Sequence, residues 1–522
     1  MAKGFGRNLI LSGGAWFIAS LVAFVAVPIV VRGLGDSAYG VIVLASAFTG
    51  YLSVLDMGLG QGIVRYLSMF VSLRHGKAMR RLLLYVLAWF LGAGVLGAAI
   101  MWVLSPWLAT GLLKIPVTLV PEAVAAFRLA GVAFGIGMVI SVIALIPEAF
   151  LRYDLVTWMS VTVGSATLAG PAVLVMLGYG LVPVMWFSVV AAVVSGLCWG
   201  IIALRLVQSI PNQGETLKQY WGGFLSFSFK NGVNRVWSAV QIPTSQLVVG
   251  IAGGVAAAAY FQIPMLISGK VTALLYRLNT VLLPTGSQLF AEGEHGLLIA
   301  LYERSSRLFY VLNASVVGAL VVFSSPLLGY WIGPRYAQEG AVAFALLTLA
   351  VGLNAMSMTA SQINMALGRP GVNLAFSLAN SAINLVTVYF LTVWMGIAGT
   401  ALSGLIAAGV VPFFLIYSHR NVLEASSWEV FRDCYLRATL AVITVSCVSW
   451  FLLLPLASSL FVTIALVGVA AALTVAACVA LGVVTRADWD SLMWALRPAA
   501  KIERPRQAET GTSAGAGDSD GQ

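Results

Sequence analysis

Lys270 and Arg277 stand seven residues apart in a stretch, 256–283, that is otherwise mostly apolar. Seven residues make two turns of α-helix, so the two cations share one face. Paired cations of this kind suit an anion, because charge-assisted bonds to a group such as phosphate are about twice as strong as neutral ones. The competing use is snorkelling, in which the apolar stems lie along the helix and the charges reach the headgroups. The stretch before it, 224–251, carries Lys230 and then Asn231, Asn234 or Arg235, Ser238, Gln241 and Ser245 at intervals of three or four, a single polar stripe on an apolar helix. A further stripe, Ser46, Thr49, Ser53 and Asp56, ends on a carboxylate that suits either a hydrogen bond between packed helices or a cation site. Arg65 lies nine residues beyond Asp56, on the opposite side of a straight helix unless Gly58, Gly60 or Gly62 bends it. Asp36, Glu148 and Asp154 fall at expected helix ends, where solvation or capping is the expected role.

The groups that catalysis needs are sparse. The three histidines, His75, His295 and His419, fall in expected loops on the basic side, and the longest outer loop, 105–122, offers one carboxylate and one lysine. Cys198, Cys447 and Cys478 sit in apolar runs and Cys434 in a basic stretch, with no metal spacing or disulfide framework, so all four read as small buried hydrophobes. No metal or cofactor is expected, and the sequence reads as a non-enzyme.

These residues have to be held by helices in lipid. The chain is 60% apolar and 9% charged, with mean hydropathy +0.95, far from the balance of a soluble domain. Apolar runs of about twenty residues, the length that crosses a bilayer core about 30 Å thick, recur to the end. A charge at the centre of such a helix costs about 2.5 kcal/mol or more, which makes each buried cation a candidate for function. The expected fold is all-α and integral to the membrane, with about fourteen transmembrane helices. Six spans, 9–31, 39–63, 82–104, 123–146, 155–177 and 181–204, form an expected lobe 1–206. After a linker at 207–222, six more at 224–251, 256–283, 308–328, 341–365, 372–395 and 397–417 form a lobe 223–420. Two further helices, 438–455 and 460–484, lie in 421–485, and the Glu, Thr, Ser, Gly and Asp of the tail at 486–522 predict disorder.

All the lysines and arginines but Arg32, Lys114, Arg128 and Arg335 fall on one side of this layout, so both termini are expected in the cytoplasm of a cell with the protein in its inner membrane. The net charge of +10 expresses that asymmetry; there is no soluble basic domain for nucleic acid. The two groups of six read as a repeat. Arg152 follows Ala149-Phe150-Leu151 and Arg369 follows Ala366-Leu367-Gly368, 217 residues later, and each succeeding helix ends in a glycine pair, at Gly178 and Gly180 or at Gly396 and Gly399.

The run Leu34-Gly35-Asp36-Ser37-Ala38-Tyr39-Gly40, then Leu55-Asp56-Met57-Gly58-Leu59 and Arg65, resembles the N-terminal signature of the polysaccharide-transporter, or Wzx-like, flippases of the multidrug/oligosaccharidyl-lipid/polysaccharide exporter superfamily. Pro284, Phe290-Ala291-Glu292-Gly293 and Ala366-Leu367-Gly368-Arg369 are similar to its second-half pattern. The resemblance implies two six-helix lobes around a central cavity that opens to either side in turn, with a polyprenyl-pyrophosphate-linked oligosaccharide as cargo. By helix number, Lys270 and Arg277 match the place where such flippases keep cavity cations. Lys230, Arg235, Arg65, Asn231, Asn234 and Gln241 join them as cavity candidates, and Asp56 becomes the candidate for ion coupling. Polysaccharide polymerase machinery is an implied partner.

Lipid II flippases of the same superfamily carry arginines inside the first helix, whereas none stands between Arg7 and Arg32, which favours an exopolysaccharide or O-antigen unit. Two other functions compete. A multidrug cation antiporter would want acidic groups in the first lobe and aromatic walls; a membrane glycosyltransferase or polymerase would want paired carboxylates in a large outer loop. The polar faces Asn354, Ser357, Ser361, Asn364 and Asn373, Ser377, Asn380, Asn384 suit sugar hydroxyls or helix-to-helix bonds, with packing expected for at least half of them.

Overall fold

The computed structural model describes residues 2–113, 115–215, 217–279, 282–423 and 426–484; the side chains of residues 2–16, 229–242 and 278 lie outside that description. The described residues form helices joined by short turns, as the absence of water in a bilayer demands, since an α-helix satisfies its own backbone. The first half comprises α1 (Ala2–Leu34), α2 (Asp36–Leu52), α3 (Leu59–Ser72), α4 (Gly76–Trp107), α5 (Val120–Ile143), α6 (Leu145–Ala149), α7 (Tyr153–Met176) and α8 (Leu181–Gln208). The second comprises α9 (Lys218–Asn279), α10 (Leu282–Ala291), α11 (His295–Val322), α12 (Ser324–Trp331), α13 (Pro334–Ala366), α14 (Pro370–Ala408) and α15 (Val411–Asn421). The short α16 (Ser427–Val430) leads to α17 (Arg437–Leu452) and α18 (Leu460–Ala480).

Twelve helical stretches among the described residues are long and apolar enough to cross a membrane. Two of them, of 49 and 52 residues, are far longer than the roughly twenty residues one crossing needs. Each doubles back at a glycine. Gly254 takes φ 81° inside α9, and across that turn the Gln246 side-chain amide donates to Gln262 Oε1. Gly396 takes φ 61° inside α14, and there Thr392 meets Thr400 at 2.7 Å while Asn384 Nδ2 donates to Ser403 Oγ at 3.1 Å. Pairing across a hairpin keeps these hydroxyls and amides from lipid. The arm of α9 beyond Gly254 is called the eighth span below.

Several expected spans are not continuous helices: 123–146 is divided at Ala144, between α5 and α6, 397–417 at Gly409 and Val410, between α14 and α15, and 438–455 at Leu453, past the end of α17. The stretch 39–63 stops at Leu52, passes through a single 3₁₀ turn, Ser53–Asp56, and restarts at Leu59 after Met57 and Gly58 take φ of 48° and 66°. The stretch 308–328 is divided at Phe323, between α11 and α12. Cys198 and Cys447 are exposed, against the expectation that all four cysteines are buried, because each sits on the outward face of a membrane helix, where lipid is as apolar as a core.

The apolar cores show how the halves meet. On the side where the basic residues are few, one core draws on both halves: Val31, Val41 and Leu44 from α1 and α2, and Val255, Ile263, Leu328, Trp331 and Phe344 from α9, α12 and α13. On the Lys/Arg-rich side there are two. Leu67, Phe70, Leu82 and Val142 pack in the first half with Phe224 of α9, while Leu301, Tyr302, Ile363, Phe414 and Tyr435 pack in the second. The seam between the halves is a close run of α2 and α3 along the first arm of α9. A Cβ on Gly40 would come 1.8 Å from the Val255 carbonyl oxygen, and one on Gly62 would come 2.1 Å from Ser228 Oγ. Tyr51 and Thr244 join hydroxyls between these points.

Candidate functional site

Where the shared core reaches the Lys/Arg-poor surface, polar groups lock one half to the other. Arg32, in the last turn of α1, donates from Nε to the Ile332 carbonyl at 2.8 Å and from Nη2 to those of Trp331 at 2.9 Å and Tyr330 at 3.2 Å. These are terminal carbonyls of α12, which lack partners in their own helix and carry the negative end of its dipole, so a guanidinium is well matched to them. Trp331 returns the contact: its indole N–H donates to the Phe24 carbonyl at 2.9 Å, and the two rings stack with centroids 5.1 Å apart.

Asp36 is the second lock. Its Oδ2 accepts from the Tyr260 hydroxyl at 2.8 Å and lies 3.7 Å from Arg335 Nη1, and its side chain is only 22% exposed. Tyr260 in turn meets the edge of Tyr336 at 4.9 Å. Asp36 was expected to be solvated or to cap its helix; it bridges to two residues of the other half instead, because Gly35 at φ 80° turns the chain so that the carboxylate faces α9 and α13. Nothing local in the sequence signals partners 224 and 299 residues away.

Of the predicted cations, Arg65 reaches across the seam. Arg65 is exposed on α3, its guanidinium 4.4 Å from the centroid of Phe227, on α9, and 5.9 Å from that of Tyr66. A cation over an aromatic face is attracted by the ring quadrupole. Lys270 is half-buried and Arg277 exposed on the eighth span. That span buries Ser268, Leu275 and Asn279, and binds α13 through Ser268 with Thr348 at 3.3 Å and Asn279 with Thr359 at 2.9 Å. At 100° per residue, Lys270 and Arg277 lie on the face turned away from α13. Lys230, Asn231, Asn234, Arg235 and Gln241 are helical in α9, but their side chains lie outside the described residues.

Asp56 does local work. Its Oδ1 accepts the Gly58 backbone N–H at 2.7 Å, tying the turn that breaks the span. The rest of its stripe is satisfied within its own backbone: Ser46 donates to Ile42, Thr49 to Ser46 and Ser53 to Gly50. Arg152 and Asp154 form an exposed ion pair at 2.8 Å, so that carboxylate is paired at its helix end. His419 is not in a loop but buried at the end of α15, 2.6 Å from the Tyr302 hydroxyl, which supplies the partner a buried imidazole needs.

The amide faces of α13 and α14 make the helix-to-helix bonds expected of them. Asn380 donates to Asn354 at 3.2 Å and to the Ala407 carbonyl at 3.1 Å, and Asn364 donates to Asn373 and Ser418, each at 3.0 Å. Yet between α13, α14 and α15 there remains a cavity of about 430 Å³. Asn354, Asn373, Asn380, Ser361 and Ser377 line it with two phenylalanines, Phe376 and Phe414, and no charged side chain. Such a cavity offers neutral donors and acceptors that are already oriented by one another, next to aromatic faces.

Comparison with known proteins gives a consistent set of likenesses. The sequence profile described as "Polysaccharide biosynthesis protein" matches residues 5–290. A putative O-antigen transporter from Shigella flexneri is 21% identical over 413 residues, 76% of this chain and 93% of that protein. Among solved structures, the lipid II flippase MurJ in an inward closed conformation superposes with a TM-score of 0.63 at 13% identity, over 88% of this chain and 98% of that one. The inward-facing conformation of a multidrug resistance MATE family transporter of the MOP superfamily gives 0.61 at 14% identity, over 81% and 99%. At these identities the structural matches speak for the fold.

Proposed function

Because the chain belongs to the polysaccharide biosynthesis protein family, we propose that it is a flippase moving a polyprenyl-pyrophosphate-linked oligosaccharide, an exopolysaccharide or O-antigen unit, from the cytoplasmic to the outer leaflet of the inner membrane. In this reading the Lys/Arg-rich side faces the cytoplasm, both hairpins count as two crossings to give fourteen, and residues 1–206 and 223–420 are the two lobes. The observation that supports the mechanism is the uneven joint: on one side a single core joins α1 and α2 to α9, α12 and α13, whereas on the other the first-half core takes only the opening turns of α9 from the second half, whose own core is distinct. A protein that alternates between two openings needs such a bistable joint. In this reading the side held shut by Arg32 and Asp36 is the outer one.

The cargo has two parts with different needs. Its pyrophosphate calls for cations, supplied by Lys270 and Arg277 on the exposed face of the eighth span, with Lys230, Arg235 and Arg65 along the seam. Its sugars call for neutral hydrogen bonding, supplied by Asn231, Asn234 and Gln241 on α9 and by the amide-lined cavity beside α13. The second reading, a multidrug cation antiporter, has support from the MATE-like fold, but the amide-lined cavity has no carboxylate to hold an organic cation. Once in the outer leaflet, the unit would pass to polysaccharide polymerase machinery.

Reconstitution separates the two. Vesicles holding the full chain and a fluorescent polyprenyl-pyrophosphate oligosaccharide should show transfer of the label between leaflets, read with an impermeant quencher. Transfer no faster than in protein-free vesicles, together with uptake of an organic cation, would overturn the flippase in favour of the antiporter.

A further inference from the structure

A groove of about 640 Å³ lies on the Lys/Arg-rich half of the first lobe, away from both the outer locks and the amide-lined cavity. Arg81, Tyr85 and Trp89 of α4 form one wall, Lys218 and Trp221 of α9 the other, and Leu59, the first residue of α3, the inner end. Arg81, Tyr85 and Trp89 follow one another at four-residue spacing on one face of α4, so the groove runs inward over about 12 Å. Its polarity is graded. The two cations lie near the starts of their helices, Lys218 at the first residue of α9 and Arg81 in the second turn of α4, and both are exposed. The aromatic rings come below them, with Tyr85 and Trp221 edge to face at 5.6 Å, and Trp221 stacks on Phe224 at 5.7 Å. Trp89 closes the inner end by donating its indole N–H to the Leu55 carbonyl at 3.3 Å. Tyr85 and Trp89 are 54% and 49% exposed, and no carboxylate lines the groove.

Cation, aromatic and aliphatic in that order is the complement of a phospholipid: phosphate, glycerol ester and acyl chain. Among the described residues neither Arg81 nor Lys218 makes an ion pair, so both charges are available to a headgroup. Basic pockets between membrane helices on the cytoplasmic side bind anionic headgroups, and tryptophan and tyrosine settle at the same depth as the ester region. We propose that this groove is a binding site for one anionic phospholipid of the cytoplasmic leaflet. The lipid seated there touches α4 of the first lobe and the opening turns of α9, which leads into the second. It also rests on Leu59, just past the broken turn at Met57 and Gly58. It therefore braces the joint along which the lobes hinge.

Native mass spectrometry of the purified full chain tests this without any transport step. With phosphatidylglycerol and phosphatidylcholine supplied in equal amounts, the wild-type protein should retain one phosphatidylglycerol in preference. Two surface cations, at about 1 kcal/mol each, correspond to a preference of about thirtyfold. Arg81→Gln with Lys218→Gln should reduce it to near unity, and Trp221→Ala should weaken retention of both lipids; an unchanged preference in the double variant would overturn the site. Polyprenyl phosphate that displaces phosphatidylglycerol through the same two cations would make the cargo lipid the occupant, and would overturn the phospholipid assignment while leaving the flippase reading intact.

Discussion

Removing one outer lock should be enough to repopulate the opposite opening. Arg32→Gln takes away three charge-assisted bonds to the end of α12, at 2.8, 2.9 and 3.2 Å. A hydrogen bond to a charged group contributes about 1.5–3 kcal/mol when buried, and an exposed charge far less. Arg32 is exposed, so the three together are taken at about 1.5–3 kcal/mol, the value of one buried bond. Asp36→Asn removes the charge that Tyr260 and Arg335 share; with Arg335 Nη1 at 3.7 Å and its side chain 79% exposed, most of that loss is the Tyr260 bond. Each 1.4 kcal/mol is a factor of ten in population, so an outward-open state present at about 1% would rise to between about 10 and 60% in Arg32→Gln. The assay is a pulsed spin-label distance between Val117→Cys and Val342→Cys, both exposed, on the Lys/Arg-poor side, in a chain cleared of Cys198, Cys434, Cys447 and Cys478. A new, longer distance should appear in each variant. Because both residues hold the same closed state, the double variant should gain less than the sum of the singles. Unchanged distances in both variants, with the protein folded and in the membrane, would refute the latch.

Arg277→Ala and Lys270→Ala should abolish surface polysaccharide at normal protein levels, while Arg277→Lys keeps part of it because a point charge still holds phosphate without the guanidinium fork; normal polysaccharide in both alanine variants would mean that these residues only snorkel. Gly40→Ala should destabilise the closed seam by about 1–3 kcal/mol through overpacking, since its Cβ would meet the Val255 carbonyl at 1.8 Å; a melting temperature equal to wild type would contradict the close approach. Reporter fusions at Val117 and at the C-terminus should answer from opposite sides of the membrane, and agreement between them would break the topology.

The features readable in the sequence are those with local causes. The hairpins at Gly254 and Gly396 are foreshadowed by glycines between two apolar runs, and the structure bends within two residues of the boundaries expected there. The break at Asp56 was half legible: Gly58 was named as a bend, but Met57 at φ 48° could not be, because a non-glycine residue seldom takes that conformation unless its surroundings enforce it. The outer locks were illegible for a different reason. Arg32 and Ile332 are joined across 300 residues, and no periodicity in either segment marks the other. His419 was placed in a loop because it follows an apolar run and precedes Arg420; its burial depends on Tyr302, 117 residues away. The amide stripes told which faces turn inward, while the remaining cavity between them emerges only when three helices are packed together.

The contact made by Asp56 bears on what drives transport. A pyrophosphate diester carries about two negative charges, and each is worth about 2.3 kcal/mol per 100 mV, so an inside-negative potential favours outward movement by roughly 4–5 kcal/mol if the charges cross uncompensated. Cations that stay with the protein hold the cargo without cancelling that field, so the potential can suffice. A coupling ion at Asp56 is the rival account, in which a sodium ion or proton returns as the cargo leaves. In the structure Asp56 Oδ1 already accepts the Gly58 N–H at 2.7 Å, in a turn that needs such an acceptor. An asparagine side-chain carbonyl can accept the same bond. Asp56→Asn should therefore preserve the broken turn and keep transport, whereas Asp56→Leu, which removes the acceptor, should impair it through folding. In vesicles with an imposed potential and no ion gradient, transport should follow the potential in both the wild type and Asp56→Asn. Dependence on a sodium or proton gradient, lost in Asp56→Asn with the protein intact, would make the carboxylate the coupling site and the potential insufficient.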